Sequence, residues 1–233
     1  MPARSACCRK LPWVAAWVTA LGCGADHQGP YPTVTLSIHG QVLTADPAPA
    51  AVAGATVALR HFKGLLSNPE TLAETTTDQT GNYQLTYSFT SVCEPQDNTT
   101  DWIEASADGY ETASTSASPE FSDPVIYCTN EPQVINLSLQ PFGALQVITN
   151  TSGSGLDPDG YALQVGGLFP GAVTEYPMGL NDEEILSQVL PGQYSLELTE
   201  MAGNCTVAGD NPRTVTVAAR DTTVSTFQVT CAP

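Results

Sequence analysis

The stretch TTTDQTGNYQLTYSF, Thr75 to Phe89, decides the fold. From Asn82 onward the side chains alternate: Tyr83, Leu85, Tyr87 and Phe89 share one face, and Asn82, Gln84, Thr86 and Ser88 take the other. Only an extended strand repeats every second residue, so this run reads as a half-buried β-strand. The residues before it read as the turn that feeds it. Asp78 can accept backbone N–H groups of the turn, and Gly81 can take the positive φ that closes it.

The same period recurs outward in both directions. In PTVTLSIHGQV, Val34, Leu36, Ile38 and Val42 face one way while Thr35, Ser37 and His39 face the other. QVINLSLQ sets Ile135, Leu137 and Leu139 together, and GQYSLELT does the same with Tyr194, Leu196 and Leu198. In TTVSTFQVTC, Phe227, Val229 and Cys231 fall in one phase. Short alternating runs bounded by Gly, Pro, Asn or Asp are the signature of antiparallel strands with one wet face. NPETLAE, residues 68–74, is the one helical candidate, and it reads equally as loop. The fold class is all-β.

LQPFGALQV supplies a boundary, because Pro141 and Gly143 interrupt two alternating runs. One domain is expected over 33–140 and a second over 144–233, two tandem small antiparallel β-sandwiches. Ahead of them, Arg4, Arg9 and Lys10 precede the apolar run Leu11 to Leu21, the pattern of a signal peptide over residues 1–22. Eleven apolar residues fall short of the roughly 20 a membrane-spanning helix needs. Residues 23–32 read as a polar, Gly/Pro-rich tether.

The exit TALGC resembles a bacterial lipobox, with Gly22 before Cys23, although Ala20 stands where that motif has Leu. The resemblance implies lipidation of Cys23 and an outer-membrane tether, since Gly24 follows where an inner-membrane retention aspartate would stand. Cleavage by an ordinary signal peptidase near Ala20–Gly24 stays open. Both readings export the chain, to the periplasm or the cell surface. Cys7 and Cys8 leave with the leader and lipid would consume Cys23, so Cys93, Cys128, Cys205 and Cys231 remain. An even number outside the cytoplasm points to disulfides. The domain boundary then selects Cys93–Cys128 and Cys205–Cys231 from the three pairings that four cysteines allow.

Residues 33–140 resemble a carboxypeptidase regulatory-like domain, a transthyretin-like sandwich. The resemblance is carried by Gly40 and Val42, by Gly54, Ala55, Val57 and Leu59, by Thr77, Asp78, Gly81 and Tyr83, and by Ala107, Gly109 and Tyr110. It implies a fold and an accessory role, and no chemistry. Residues 144–231, with LPGQY at Leu190 to Tyr194, are similar to a second sandwich repeat of bacterial exported proteins. Where the first family has a short return, this chain has TSVCEPQDNTTDW; that loop (Asp97, Asn98, Trp102) reads first as a decorative surface loop and is also the first expectation for a contact surface.

The chain holds 24 acidic and 7 basic residues. Its first 22 residues hold three of the bases and no acid, so the remainder carries a net charge of −20. Such a body repels polyanions, and nucleic-acid binding has no basic footprint here. The three histidines, His27, His39 and His61, have no ligand spacing around them, though His39 and His61 are expected on neighbouring strands. No G-x-S-x-G elbow, phosphate-binding Gly loop or C-x-x-C pair occurs. Asp157 with Asp159, and Asn181 with Asp182, Glu183 and Glu184, could lend oxygens to calcium, but the first group reads first as a turn and the second as a solvated acidic loop. No other cofactor is expected.

Tyr31, Tyr176 and Trp102 are the candidates for stacking on sugars, with Trp102 expected in the core. The expected function is non-catalytic, a structural or adhesive module of the envelope. The alternative is a carbohydrate-binding accessory with a starch-binding-like fold. The expected partners are a membrane reached through the lipid, a polysaccharide or an envelope protein.

Overall fold

The computed structural model describes residues 33–62, 68–90, 100–116 and 132–233. The described chain is all strand and turn. Eight strands build the first sandwich: β1 (Thr33–Thr44), β2 (Thr56–Phe62), β3 (Glu70–Thr76), β4 (Asn82–Thr90), β5 (Thr100–Ser106), β6 (Ala113–Ser116), β7 (Gln133–Val134) and β8 (Leu137–Leu139). Eight more build the second: β9 (Gly143–Gly153), β10 (Tyr161–Phe169), β11 (Ala172–Met178), β12 (Glu183–Val189), β13 (Gly192–Thr199), β14 (Cys205–Val207), β15 (Arg213–Val217) and β16 (Thr222–Cys231).

The two halves share one topology. In the first, β4-β1 continues into β7 and β8 and faces β3-β2-β5-β6. In the second, β12-β9-β16-β14 faces β11-β10-β13-β15. Strand for strand these match, except that β14 adds a strand to the free side of β16. Each half closes its own core. Ile38, Val42, Leu59, Leu85, Ile103 and Leu139 fill the first, and Leu145, Leu163, Leu196, Leu198 and Phe227 fill the second. The quoted strand behaves as its period demands, with Tyr83 and Leu85 buried. Tyr87 and Phe89 continue the same phase toward the end of the sheet, where their rings stack 5.7 Å apart.

Not every pairing is antiparallel. β9 and β16 run parallel over ten consecutive pairs, Ala144 with Thr222 through Gly153 with Cys231. β1 likewise runs parallel to β7 and β8. Alternation reports which face a side chain takes and is blind to the direction of the neighbouring strand. A parallel pair needs a long crossover, and in each half the whole intervening domain supplies it. Residues 68–74 are also corrected: β3 starts at Glu70, so the helical option falls. Glu, Leu and Ala favour helix, but pairing with β2 from Thr56 to His61 overrides that weak preference.

The turn between β3 and β4 is built as its sequence suggests. Asp78 Oδ1 accepts the backbone N–H groups of Thr80 and Asn82 at 2.8 and 2.9 Å, and Gly81 sits at φ 77°. Thr77 is buried nearby, receiving the Ala55 N–H and donating to the Val52 carbonyl.

Between the cores, the connecting residues are held from both sides. Phe142 donates its N–H to Gly109 O, and Glu111 donates to Gln140 O, which ties the connector to the first sandwich. Arg220 donates its N–H to Phe142 O, and Ala144 donates to Asp221 O, which ties it to the second. The Arg220 side chain then reaches back across the joint, to Asp46 Oδ2 at 2.8 Å and the Tyr110 hydroxyl at 3.3 Å. Its guanidinium lies 5.6 Å from the centre of the Tyr110 ring. Replacing Arg220 with Ala removes all three side-chain contacts and touches neither core. Both sandwiches should stay folded while their relative orientation loosens. Residual dipolar couplings check this: one alignment tensor fits the wild type, and two are expected for the variant.

Candidate functional site

The outer face of β4-β1-β7 carries an open groove of about 870 Å³. Strand alternation makes it polar. Where Val34, Ile38 and Val42 turn inward, Ser37, His39 and Gln41 turn out, and Asn82 and Gln84 of β4 stand beside them. The wall on the other side is Pro132, Val134 and Asn136. Val134 is 66 % exposed, so the rim is apolar at that point.

Several groups of the groove are already committed to the fold. Asn136 Oδ1 accepts the Gln41 N–H at 2.9 Å, and Gln41 Nε2 donates to Thr80 O at 2.8 Å. The Tyr83 hydroxyl donates to the Ile135 carbonyl at 2.7 Å, and burial pushes its pKa up to about 12. Asp78 bounds one end. The Thr80 hydroxyl, then the Asn82 and Thr80 backbone N–H groups, hold its carboxyl below the usual carboxylate range. What remains is a surface of amides, hydroxyls and one exposed imidazole, able to exchange hydrogen bonds with a polar ligand.

Of the expected contact residues, Trp102 and Tyr176 are described, and neither lines this groove. Trp102 is half-buried on the outward face of β5, beside Arg60 and Ser116, while Ile103 and Ala105 of the same strand fill the core. The expectation that Trp102 fills the core is therefore corrected. It also lies on the other sheet from the groove, with the sandwich interior between them. Tyr176 packs against the core of the second sandwich. Asp97, Asn98, Tyr31, Cys23, Cys93, Cys128 and His27 lie outside the described residues.

The histidines separate as well. His39 is exposed on β1, whereas His61 sits on β2 of the facing sheet, so they are not on neighbouring strands. His61 instead pairs with Asp101 directly across β2 and β5, Nδ1 to Oδ1 2.5 Å, each side chain 15 % exposed.

Of the carboxylates weighed for calcium, Asp157 and Asp182 accept backbone hydrogen bonds, while Glu183 and Glu184 open β12 rather than lie in a loop. Asp157 is buried and receives the Ala202 N–H at 2.6 Å. Asp182 receives the Gly179 and Glu183 N–H groups at 2.9 Å each, and these bonds hold its carboxyl below the ordinary range. Asn181 Oδ1 receives the Thr151 N–H. Among the described residues, no three His, Cys, Asp or Glu side chains gather as a metal site would require.

Sequence reasoning missed the joint. Arg220 is one of four basic residues beyond residue 22, and that scarcity was the available signal. Asp46 is its partner, held below the carboxylate range first by the Arg220 hydrogen bond and then by Thr44. Arg60 pairs with Glu104 at 2.9 Å on the outer face of β2 and β5. Arg213 lies 3.8 Å over the buried Phe227 ring. Each arginine among the described residues is thus engaged within the fold.

A carboxyl lowered in the folded state contributes stability above its unfolded pKa, near 4, and loses it as pH falls through the folded value. The melting temperature of Asp78→Asn should accordingly lie below that of the wild type by a constant amount above about pH 5. The gap should close as the pH drops further. Thermal melts of the pair between neutral and strongly acidic buffer test the sign, and a gap that widens on acidification contradicts it.

No family model matches the chain, and no curated protein matches it either. Among solved structures it is similar to GBS52, the minor pilin of Streptococcus agalactiae, at 13 % identity and TM-score 0.35, over 85 % of this chain and 97 % of that one. It is similar to a streptococcal ancillary pilin at 10 % identity and TM-score 0.38, over 84 % and 62 %. Shaft pilin SpaA of Lactobacillus rhamnosus GG gives 8 % identity and TM-score 0.32, over 87 % and 99 %. A likeness this weak carries no inference about activity or partners.

Proposed function

We propose that this chain is a non-catalytic module of the bacterial cell envelope, exported, anchored at the outer membrane through lipid on Cys23, and structural or adhesive in role. The observation that carries the reading is where the polar side chains are engaged. Arg220, Asp46 and Tyr110 brace the joint, while Asp78, Asp157 and Asp182 fasten turns. Polar chemistry arranged this way stiffens a scaffold that presents its loops. The net charge of −20 beyond residue 22 keeps such a scaffold soluble and directs it toward neutral or cationic partners, an envelope protein or a polysaccharide.

Two sandwich domains, 33–140 and 144–233, are part of the proposal, as are the carboxypeptidase regulatory-like kinship of the first and the Cys93–Cys128 bond. The test of location is the mature N-terminus. Mass spectrometry should find acyl chains on Cys23, and Cys23→Ser should release the protein from the membrane fraction. A chain retaining its first 22 residues in the cytoplasm would end this reading. Polysaccharide capture is the second reading, favoured by the amide- and hydroxyl-lined groove. A glycan array decides it: binding abolished by Gln84→Ala would support capture, and a blank array would remove it.

A further inference from the structure

The arrangement of the first and last strands carries an inference about load. In each sandwich these two strands are hydrogen-bonded neighbours that run parallel. β9 pairs with β16 over ten consecutive residues. β1 pairs with β7 at Ile38 and His39, then with β8 from Val42 to Thr44, in one continuous register. The start of the first strand and the end of the last strand therefore lie at opposite ends of one ladder. A pull transmitted through the chain slides one strand along the other and strains every bond of the ladder together. Had the terminal strands been antiparallel, both ends would leave from the same side and the bonds would open one at a time.

The connection between the two ladders offers no slack. Phe142 is bonded to Gly109 on one side and to Arg220 on the other, and Ala144 is bonded to Asp221 immediately before β9 pairs with β16. At the far end, the Cys205–Cys231 disulfide fastens β16 to β14. Tension applied at Thr33 and Cys231 thus passes from ladder to splinted joint to ladder.

We infer that the two sandwiches form a tension-bearing element, built to resist force along the chain, with the β9–β16 ladder as its strongest link. The inference rests on the structural reading of function above, and it specifies the kind of work: holding an attached load at a distance from its anchor. The first sandwich, with its shorter and interrupted ladder, is the link that yields first.

Single-molecule force spectroscopy on the full chain tests this, because forced unfolding is governed by the unfolding rate along the pulled coordinate. One attachment uses the two chain ends. The other uses the C-terminal end and a handle inserted after Ser154, an exposed residue at the finish of β9, so that the adjoining ends of β9 and β16 are drawn apart. End-to-end pulling should give two ruptures, the later one at a several-fold higher force than the handle geometry gives for the same sandwich. Equal forces in the two geometries overturn the inference. The measurement is repeated after reduction. Persistence of the high force assigns it to the ladder, whereas its disappearance assigns it to the sulfur–sulfur bond and overturns the ladder's role. Neither failure bears on whether Cys23 carries lipid or where the protein resides.

Discussion

Gly40→Ala is expected to destabilise the first sandwich by about 3 kcal/mol or more. The cause is a close crossing of backbones. Between its pairings with β7 and β8, strand β1 passes directly beneath the Ile135 peptide, whose N–H is given to His39 O at 2.9 Å. A methyl built on Gly40 would stand 1.7 Å from the Ile135 carbonyl oxygen and 3.2 Å from the Tyr83 ring. Real carbon atoms do not approach oxygen so closely, so the Ile135 peptide must move. Moving it breaks the bond that the Tyr83 hydroxyl donates to that same carbonyl, and leaves a buried phenol without its acceptor. Overpacking alone costs roughly 1–3 kcal/mol, and an unsatisfied buried hydroxyl adds about 1–3 kcal/mol.

Gly54→Ala is the control that separates steric crossing from backbone conformation. Gly54 sits at φ 72°, and a methyl added there would meet nothing within 4 Å, so its loss should cost only the left-handed strain, about 1–2 kcal/mol. Urea unfolding followed by tryptophan fluorescence would rank the two. A Gly40→Ala variant no less stable than Gly54→Ala would mean that the last strand of this sandwich lies elsewhere.

Gly40 also marks how far the sequence could be read. Its place in a G-x-V element was visible, but the reason for it, a peptide 95 residues away, was not. Alternation fared well wherever the question was which face a residue takes. Leu196, Leu198, Phe227 and Val229 all point inward as their phase requires. Trp102 is instructive because the period was there to be used: it shares phase with Glu104, and Ile103 and Ala105 hold the inward positions. The core was the expected place for Trp102, and the period runs against it. Direction of pairing and the Arg220 joint had no local signal. Arg220 and Asp46 meet across 174 residues, and no window of sequence contains both. The groove is legible only in part for the same reason. Ser37, His39 and Gln41 announce an outward polar face, whereas its far wall at Val134 and Asn136 depends on the parallel return of β7.

Loss of the Cys205–Cys231 bond is expected to cost the second sandwich about 3–4 kcal/mol and to leave the first nearly unaffected. The two cysteines face each other across β14 and β16, in register with Thr206–Thr230 and Val207–Val229. Their separation of 26 residues sets the entropy that the crosslink removes from the unfolded chain, worth about 3.5 kcal/mol on the chain-entropy model. Both side chains are buried, so the variant of choice is the double Cys→Ala change, which leaves no hydroxyl in an apolar site. The surrounding end will not simply open, because Asn204 Nδ2 also donates to Gly155 O at 2.8 Å and to Ala232 O at 2.6 Å. β14 should therefore remain paired in the native state, and the cost should appear in the unfolded ensemble. That distinction is measurable. Hydrogen exchange at Thr206 and Ala208, whose N–H groups face β16, should stay protected in the double variant under native conditions, while the denaturant midpoint of the second sandwich falls. Loss of protection confined to β14 with an unchanged midpoint would show instead that the bond only holds an edge strand in place. The bond's contribution to global stability would then be small, and the second core would stand on Leu145, Leu196 and Phe227 without it.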